Sequence, residues 1–383
     1  MRIAVIGAKG IPPQQGGIEH HCAEIYPRLA AKGHAVDLYA RASYNKSYPN
    51  RTYRYRGVRV INVPCLNKKG LDAFITSLLS TLYCLPRHYD VVHFHAVGPA
   101  IFAWLPKLKP RTKVVVTCHG LDWQRNKWSS FASNLIRTGE KVAVNNADEL
   151  IVVADNLQPY FRTAYNRKTT YIGNGPASYA KSDPTFSFIS ALGLEPNRYL
   201  VFLGRLVPEK NVHSLIQAYL SLKQRGWKLV IVGESSDTQS YVQTLKELAA
   251  NSKDILFTGF LKGERLAEVM RGAGLFVLPS KVEGQPLALL EAMAEEVPIL
   301  ASNIPIHNKI LGEDRGILFN TDDKASFVKQ LQRAIETPEV LRRNALKASN
   351  YVKAHHNWND IVDRHLEIYQ VKKSKSQLLE PTT

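Results

Sequence analysis

Residues 275–291 read Leu-Phe-Val-Leu-Pro-Ser-Lys-Val-Glu-Gly-Gln-Pro-Leu-Ala-Leu-Leu-Glu. The run 275–278 is apolar without a break, as a parallel strand buried on both faces requires. A loop follows, in which Gly284 permits a sharp turn and Pro286 suits the first position of a helix. The spacing therefore predicts strand, loop and then a helix over 286–296. A strand followed by a helix is the repeating unit of a doubly wound α/β sheet. Glu283 falls in the loop just before the helix, and Glu291 lies on the helix itself. Gly284, Gln285, Pro286 and Leu287 form the turn between loop and helix. Unpaired N–H groups at a helix start attract an anion or polar oxygens. Two carboxylates flanking such a site suit a sugar–diphosphate–ribose ligand, Glu283 bonding hydroxyls and Glu291 a second diol. A capping Glu283 and a surface Glu291 would need no ligand at all.

The same alternation runs through the chain. In the first half, strand-like runs fall at 3–6, 35–39, 58–63, 91–93, 113–117, 150–153 and 169–172. Helical stretches lie between them, at 17–32 and 128–147 among others. In the second half, strands are expected at 199–203, 228–232, 255–258, 275–278, 298–301 and 316–319, with helices such as 212–224. Two consecutive series of this kind predict two doubly wound, Rossmann-like domains. Gly175, Pro176, Ser178, Ser182, Asp183, Pro184 and Pro196 give 174–197 the chemistry of a linker. The expected domains are 1–180 and 181–355. Ligands bind beyond the carboxyl ends of strands in such sheets, so two facing domains would make a cleft.

Composition agrees with this class. The chain has 383 residues, 45% hydrophobic and 22% charged, values that exclude a disordered or collagen-like protein. No apolar run is long enough to span a membrane, and the opening Met-Arg-Ile-Ala-Val-Ile-Gly lacks the pattern of a signal peptide. Cys22, Cys65, Cys84 and Cys118 form no CxxC pair, which fits reduced thiols in the cytoplasm. The formal net charge is +17, and it is uneven. Residues 1–190 carry 25 Lys and Arg against 11 Asp and Glu. A basic half points to an anionic partner: nucleic acid, a phosphorylated substrate or an acidic membrane. No zinc-finger spacing or RNA-binding aromatic motif supports nucleic acid.

Three further stretches carry chemistry. Gly204-Arg-Leu-Val-Pro-Glu-Lys-Asn211 follows a strand and precedes a helix. Arg205 and Lys210 can converge there on phosphates, one as a planar fork and one as a point charge. The first strand–helix turn, Gly7 to Glu19, is not GxGxxG, but Gly16 and Gly17 let backbone approach a phosphate closely. Val116-Thr-Cys-His-Gly-Leu-Asp-Trp123 ends a strand and offers His119 to a sugar or to an acceptor proton. His93 and His95 end the preceding strand. No spacing among these three histidines demands a metal, and none is expected.

Taken in order, these motifs resemble the retaining glycosyltransferases of family 4, which have the GT-B fold of two Rossmann-like domains facing across a cleft. Glu283-Gly-x-Pro-Leu-x-x-Leu-Glu291 looks like that family's paired-glutamate motif, and Gly204–Asn211 like its phosphate loop. The opening Ile-Gly-Ala-Lys-Gly-Ile-Pro…Gly-Gly-Ile-Glu and Cys118-His-Gly-Leu-Asp-Trp123 resemble a bacterial subgroup of rhamnosyltransferase-like, polysaccharide-assembly enzymes. The resemblance implies that Arg205 and Lys210 bind the donor diphosphate, Glu283 the sugar and Glu291 the ribose. Gly204, Gly284, Gln285, Pro286 and Leu287 would complete the donor site, and Gly16 and Gly17 would approach the diphosphate. His119 would stand near donor sugar and acceptor. A catalytic set of Glu283, His119, Arg205 and Lys210 follows. The family needs no metal, and the sequence has no DxD motif to hold one, so no cofactor is expected. The family's last helix crosses back to the first domain, a role for 356–372. Ile172-Gly-Asn-Gly-Pro176 departs from the family's Pro-Asn-Gly-Val-Asp. Asn174 and Gly175 are therefore left out of the site. A nucleotide-sugar epimerase on the same fold is the alternative.

Leu71, Phe74, Ile75, Leu78, Leu79, Leu82 and Leu85 recur at helical spacing. Lys68, Lys69 and Arg87 flank them. The apolar face is expected to pack on the first sheet. The opposite face, Ser77, Ser80 and Thr81, would stay open to a partner or lipid. Peripheral association of the basic first domain with an anionic membrane follows, placing a cytoplasmic enzyme at the inner face of the plasma membrane.

Overall fold

The computed structural model describes all residues except 15, 45–47, 49, 66–70, 125–128, 223–225, 236–237 and 371–383. The chain divides into two compact units. The first comprises Met1–Asn174 and the closing helix Trp358–Gln370; the second is Gly175–Asn357.

In the first unit the strands are β1 (Arg2–Ile6), β2 (Ala35–Arg41), β3 (Thr52–Tyr55), β4 (Val58–Val63), β5 (Val91–His95), β6 (Lys113–Cys118), β7 (Glu149–Val152) and β8 (Thr170–Tyr171). They lie in the order β3-β4-β2-β1-β5-β6-β7-β8. All pair in parallel except β3, which runs antiparallel to β4. The helices between them are α1 (Gly17–Ala31), α2 (Leu71–Cys84), α3 (Ser130–Asn146) and α4 (Leu157–Tyr165). Helix α3 starts at Ser129, whose side chain accepts from Ala132 N. Residue 128 of the expected helix lies outside the described residues.

Strand β3 departs from the expected pattern. Thr-Tyr-Arg-Tyr has no continuous apolar run, because an edge strand buries only alternate residues. Arg56 and Gly57 both take positive φ, 46° and 89°, which makes the tight hairpin turn into β4.

Helix α2 is turned over relative to the expectation. Thr76, Ser77, Ser80 and Thr81 are buried. Phe74, Ile75, Leu78 and Leu79 are only half-buried, and Leu82 is 43% exposed. The reason is local. Ser77 donates to Ala73 O and Thr81 to Ser77 O, each at 2.7 Å. These bonds satisfy both hydroxyls inside the helix, so they enter the core without a desolvated orphan. Their small size also lets the helix lie close to β1, β2 and β4. The flanking Lys68 and Lys69 lie outside the described residues.

The second unit holds β9 (Tyr199–Leu203), β10 (Lys228–Val232), β11 (Ile255–Gly259), β12 (Leu275–Leu278), β13 (Ile299–Ser302) and β14 (Ile317–Phe319). Their order is β11-β10-β9-β12-β13-β14, parallel throughout. Its helices are α5 (Ser187–Ala191), α6 (Val212–Leu220), α7 (Gln239–Ala249), α8 (Gly263–Arg271), α9 (Leu287–Ala294), α10 (Pro305–Leu311), α11 (Lys324–Glu336) and α12 (Pro338–His355). This unit begins at Gly175, ahead of the expected boundary at 181. Tyr179 and Ala180 are tied into it, through Glu291 and Arg271. Helix α6 ends at Leu220, and residues 223–224 of the expected helix are not described.

The closing helix, α13, packs against α1. Trp358, Ile361, Val362, Ile368 and Tyr369 join one core with Ile3, Val5, Tyr26 and Leu29. Lys113 donates to Ile368 O, and Lys32 pairs with Asp363 at 2.7 Å.

Gly139, in α3, is packed face-on against backbone. A Cβ there would lie 2.3 Å from Val97 O. Helix propensity alone favours Ala over Gly by about 1 kcal/mol. Overpacking against a carbonyl that cannot swing away costs about 1–3 kcal/mol and outweighs it. Gly139→Ala should therefore lower the melting temperature, read by circular dichroism. A rise would show that the helix shifts freely.

Candidate functional site

Each unit gathers polar side chains beyond the carboxyl ends of its central strands. In the second unit β9 and β12 are neighbours, with Leu200 opposite Leu275. The loops leaving them therefore emerge side by side. Gly204 N bonds Val232 O at 3.0 Å. Gly233 takes φ +143°, and a Cβ on it would stand 1.8 Å from Gly204 O, so only glycine permits this approach.

Lys210 Nζ forms an ion pair with Glu283 Oε1 across the two loops, with both side chains largely buried. A backbone bond from Lys281 N to Glu209 O, 2.9 Å, fastens the same loops. Burial alone would push the Glu283 carboxyl up. Lys210 beside it and His307 nearby more than offset that, and it is held below its ordinary range. The Glu283 carboxylate thus stays charged at neutral pH. Arg205 lies half-buried in the same loop as Lys210. Pro286 caps α9 with extended backbone (φ −77°, ψ 107°), so the helix begins at Leu287, one position after the expected start. Gln285 Nε2 lies 3.4 Å from His356 Nδ1.

Glu291 is not the surface carboxylate that a ligand-free reading requires. It is 7% exposed and accepts from Tyr179 OH at 2.9 Å. Burial, then Glu291, push the Tyr179 phenol well up, so Tyr179 remains a donor. His307, absent from the sequence reading, is wholly buried beneath this site. Its Nδ1 donates to Ser302 O at 3.0 Å.

In the first unit β1 and β5 are neighbours, as are β5 and β6. Gly16 caps α1 at φ +104°, where a Cβ would meet Glu19 Oε2 at 2.2 Å. Glu19 is buried and accepts from Lys9 N at 2.9 Å. It therefore ties the Gly16-Gly17 turn to the loop after β1.

His119 stands half-buried, its Nε2 3.0 Å from His95 Nδ1. His95 Nε2 meets Tyr26 OH at 2.5 Å. His21, on α1, packs edge-on against both rings. Its Nδ1 meets Asn174 Oδ1 at 2.6 Å, which brings the omitted Asn174 into the cluster. His93 is a core histidine, bonded to Tyr369 OH and Thr117 Oγ1, each at 2.7 Å. The trio that converges is thus His21, His95 and His119, not one containing His93. The loop behind His119 is held by Glu140, a buried carboxylate. It accepts from Trp123 at 3.1 Å and from Tyr160 and Tyr165 at 2.6 Å.

Comparison with known proteins follows this division. A family model described as "Glycosyl transferases group 1" matches residues 187–352, and one described as "Glycosyltransferase Family 4" matches 15–176. N-acetyl-alpha-D-glucosaminyl L-malate synthase of Bacillus anthracis is 26% identical over 370 residues, 93% of this chain and 94% of that one. The amylovoran biosynthesis glycosyltransferase AmsD of Erwinia amylovora is 23% identical over 57% of this chain and 62% of its own. Among solved structures, sucrose-phosphate synthase from Thermosynechococcus elongatus superposes with TM-score 0.80 at 21% identity, covering 96% of this chain and 98% of that one. HepE of Anabaena, in complex with UDP-glucose, gives 0.79 at 18% identity over 96% and 99%. The fold is GT-B.

Burial lowers His307 and His365 to about 4, in the fully buried interiors of the two units. Unfolded, each binds a proton near 6.5. Stability is therefore complete above about pH 6.5 and is lost as pH falls toward 4, by about 3 kcal/mol for each. Melting temperature should fall over this window, less steeply in His307→Gln. A flat profile would contradict the burial of both rings.

Proposed function

Because the chain belongs to the group 1, family 4 glycosyltransferases, we propose that it moves a hexosyl or deoxyhexosyl unit from a nucleotide sugar to a hydroxyl of a glycan or lipid-linked acceptor, with retention. The observation that carries this reading is the Lys210–Glu283 pair at the joined ends of β9 and β12. A charged lysine, held by a carboxylate beside a glycine-only backbone approach, is built to receive a diphosphate.

Arg205 and Lys210 stabilise the negative charge that develops on the departing nucleotide. They do so without calling on a metal. Glu283 orients Lys210 and accepts from sugar hydroxyls, and Glu291, steadied by Tyr179, holds the ribose diol. In the first unit Gly16, Gly17 and His119 serve the diphosphate, the reacting sugar and the acceptor. The UDP-glucose complex of HepE supports a nucleotide-sugar donor. AmsD supports a place in bacterial surface polysaccharide assembly. The rhamnosyl case rests on the opening Gly-Gly-Ile-Glu and Cys118–Trp123 motifs.

A thermal-shift series with UDP, GDP, dTDP and ADP sugars, with and without EDTA, identifies the donor. The shift should survive EDTA and weaken in Glu291→Ala. Lys210→Ala should cut kcat about 10²–10³-fold, as loss of a charge-stabilising donor does. Glu291→Ala should act chiefly on KM. Turnover of donor without acceptor would point instead to an epimerase.

The exposed side of α2 supports a membrane-held acceptor. No helix among the described residues is long and apolar enough to cross a membrane. The half-exposed leucine face of α2 nevertheless lies beside the turn Pro99–Phe102, through the Phe74–Phe102 ring contact at 5.0 Å. Trp104 and Leu108 follow that turn, 46% and 69% exposed. With the basic excess of residues 1–190, this surface suits peripheral docking on anionic lipid at the cytoplasmic face of the plasma membrane. Each Lys or Arg near such a surface contributes about 1 kcal/mol. The protein should sediment with anionic vesicles at low salt and lose most of that binding in Leu82→Ser/Trp104→Ser. Absence of sedimentation refutes the docking.

A further inference from the structure

The transfer reading uses His119 alone of the converging histidines. His21, His95 and His119 come from three separate elements, yet their ligand-capable nitrogens lie within 4.8 Å of one another. His21 is wholly buried. Its Nδ1 faces Asn174 Oδ1, an oxygen that only accepts, so the ring proton sits on Nδ1. Its Nε2 then carries a bare lone pair, and that buried atom has no hydrogen-bond partner. Leaving such an acceptor unsatisfied is unfavourable. A second nitrogen can be readied in the same way. With its proton on Nε2, His95 donates to Tyr26 OH, and the phenol passes a hydrogen bond on to His93 Nδ1 at 3.0 Å. His95 Nδ1 is then a bare lone pair facing His119 Nε2. Hydrogen bonds on the outer nitrogens are how metal-ligating imidazoles are oriented.

We propose that His21 Nε2, His95 Nδ1 and His119 Nε2 form a site for a divalent transition metal of the zinc type, and that filling it switches transfer off. Three imidazole nitrogens suit zinc rather than magnesium or calcium, which take oxygen ligands. Bonds of about 2.0–2.1 Å in tetrahedral array set neighbouring nitrogens about 3.3 Å apart. His95 and His119, at 3.0 Å, already stand close to that spacing. A small movement of the His21 ring completes the set, with the fourth position left to water. Each imidazole keeps one proton on its outer nitrogen, so the ion binds by a tautomer shift with no net proton release. A bound ion draws on the His119 nitrogen that faces His95 and fixes the ring against the cluster. The regulatory part rests on the transferase reading; the site itself does not.

The test uses the full chain, stripped with a chelator and then loaded with zinc or cobalt(II). Elemental analysis after desalting should give one zinc per chain. Cobalt should develop the strong visible absorption of a four-coordinate site. His21→Gln and His95→Gln should each weaken zinc at least tenfold, with folding checked by circular dichroism. His213→Gln, in the other unit, should bind as the unaltered chain does. Transfer should fall in step with zinc occupancy and recover with EDTA. An unaltered chain that keeps no zinc, or variants that bind it equally well, would overturn the site. Full activity with the site filled would overturn the switch while leaving the metal readouts intact.

Discussion

The hydrogen-bonded pairing of two strands that are not consecutive in sequence organises each half of the molecule. In the second unit β9 pairs with β12, while β10 and β11 lie to the other side. In the first unit β1 stands between β2 and β5. The chain reverses its direction of winding at each of these points. Loops on either side of the reversal leave the sheet in opposite directions around it, and a crevice opens between them. Residues 73 positions apart, Lys210 and Glu283, meet because of this. His21 and Asn174 meet across 153 positions as β1, β5, β6 and β7 lie in register beside one another.

Charge and polarity in the interior then follow one rule. A buried ion is tolerated only where a partner stands opposite, since desolvation costs several kcal/mol for an isolated charge. Lys210 and Glu283 satisfy each other. Glu140 has three donors, all aromatic, and so fixes Trp123 and with it the loop carrying His119. The histidines obey the rule differently. Burial and one another's company hold His21, His93 and His95 well below the ordinary histidine range, and they persist as neutral rings. Charge is concentrated at the joined loops after β9 and β12 of the second unit, and suppressed in the histidine cluster of the first.

Much of this was legible in the sequence, for identifiable reasons. Parallel strands buried on both faces are continuous apolar runs, and β9, β10 and β12 begin and end where those runs do. The loops after them carry glycine and charge in short compass, so Gly204–Asn211 and Glu283–Glu291 stand out locally. What was hidden depends on long-range pairing. Strand β3 is half-exposed and basic, and nothing in Thr-Tyr-Arg-Tyr separates it from a loop. Apolarity alone turns the leucines of α2 inward, but Ser77 and Thr81 bond their own helix and are buried in their place. His21 sits next to His20 in the chain, with only its position one turn into α1 to mark it, and its partner Asn174 comes from the far edge of the sheet.

The first unit is discontinuous in the chain. Its opening 174 residues leave the ribosome long before Trp358, Ile361, Val362, Ile368 and Tyr369, which complete its core. Until then the part of α1 that packs against α13 has no cover, although the sheet already lies against the rest of that face. The second unit is one unbroken segment and can finish first, although it is made later. Domains fold as units during synthesis, the leading one ordinarily ahead. Here the order of birth and the order of maturation are reversed. The nascent amino-terminal half must wait, partly open, until the last helix emerges.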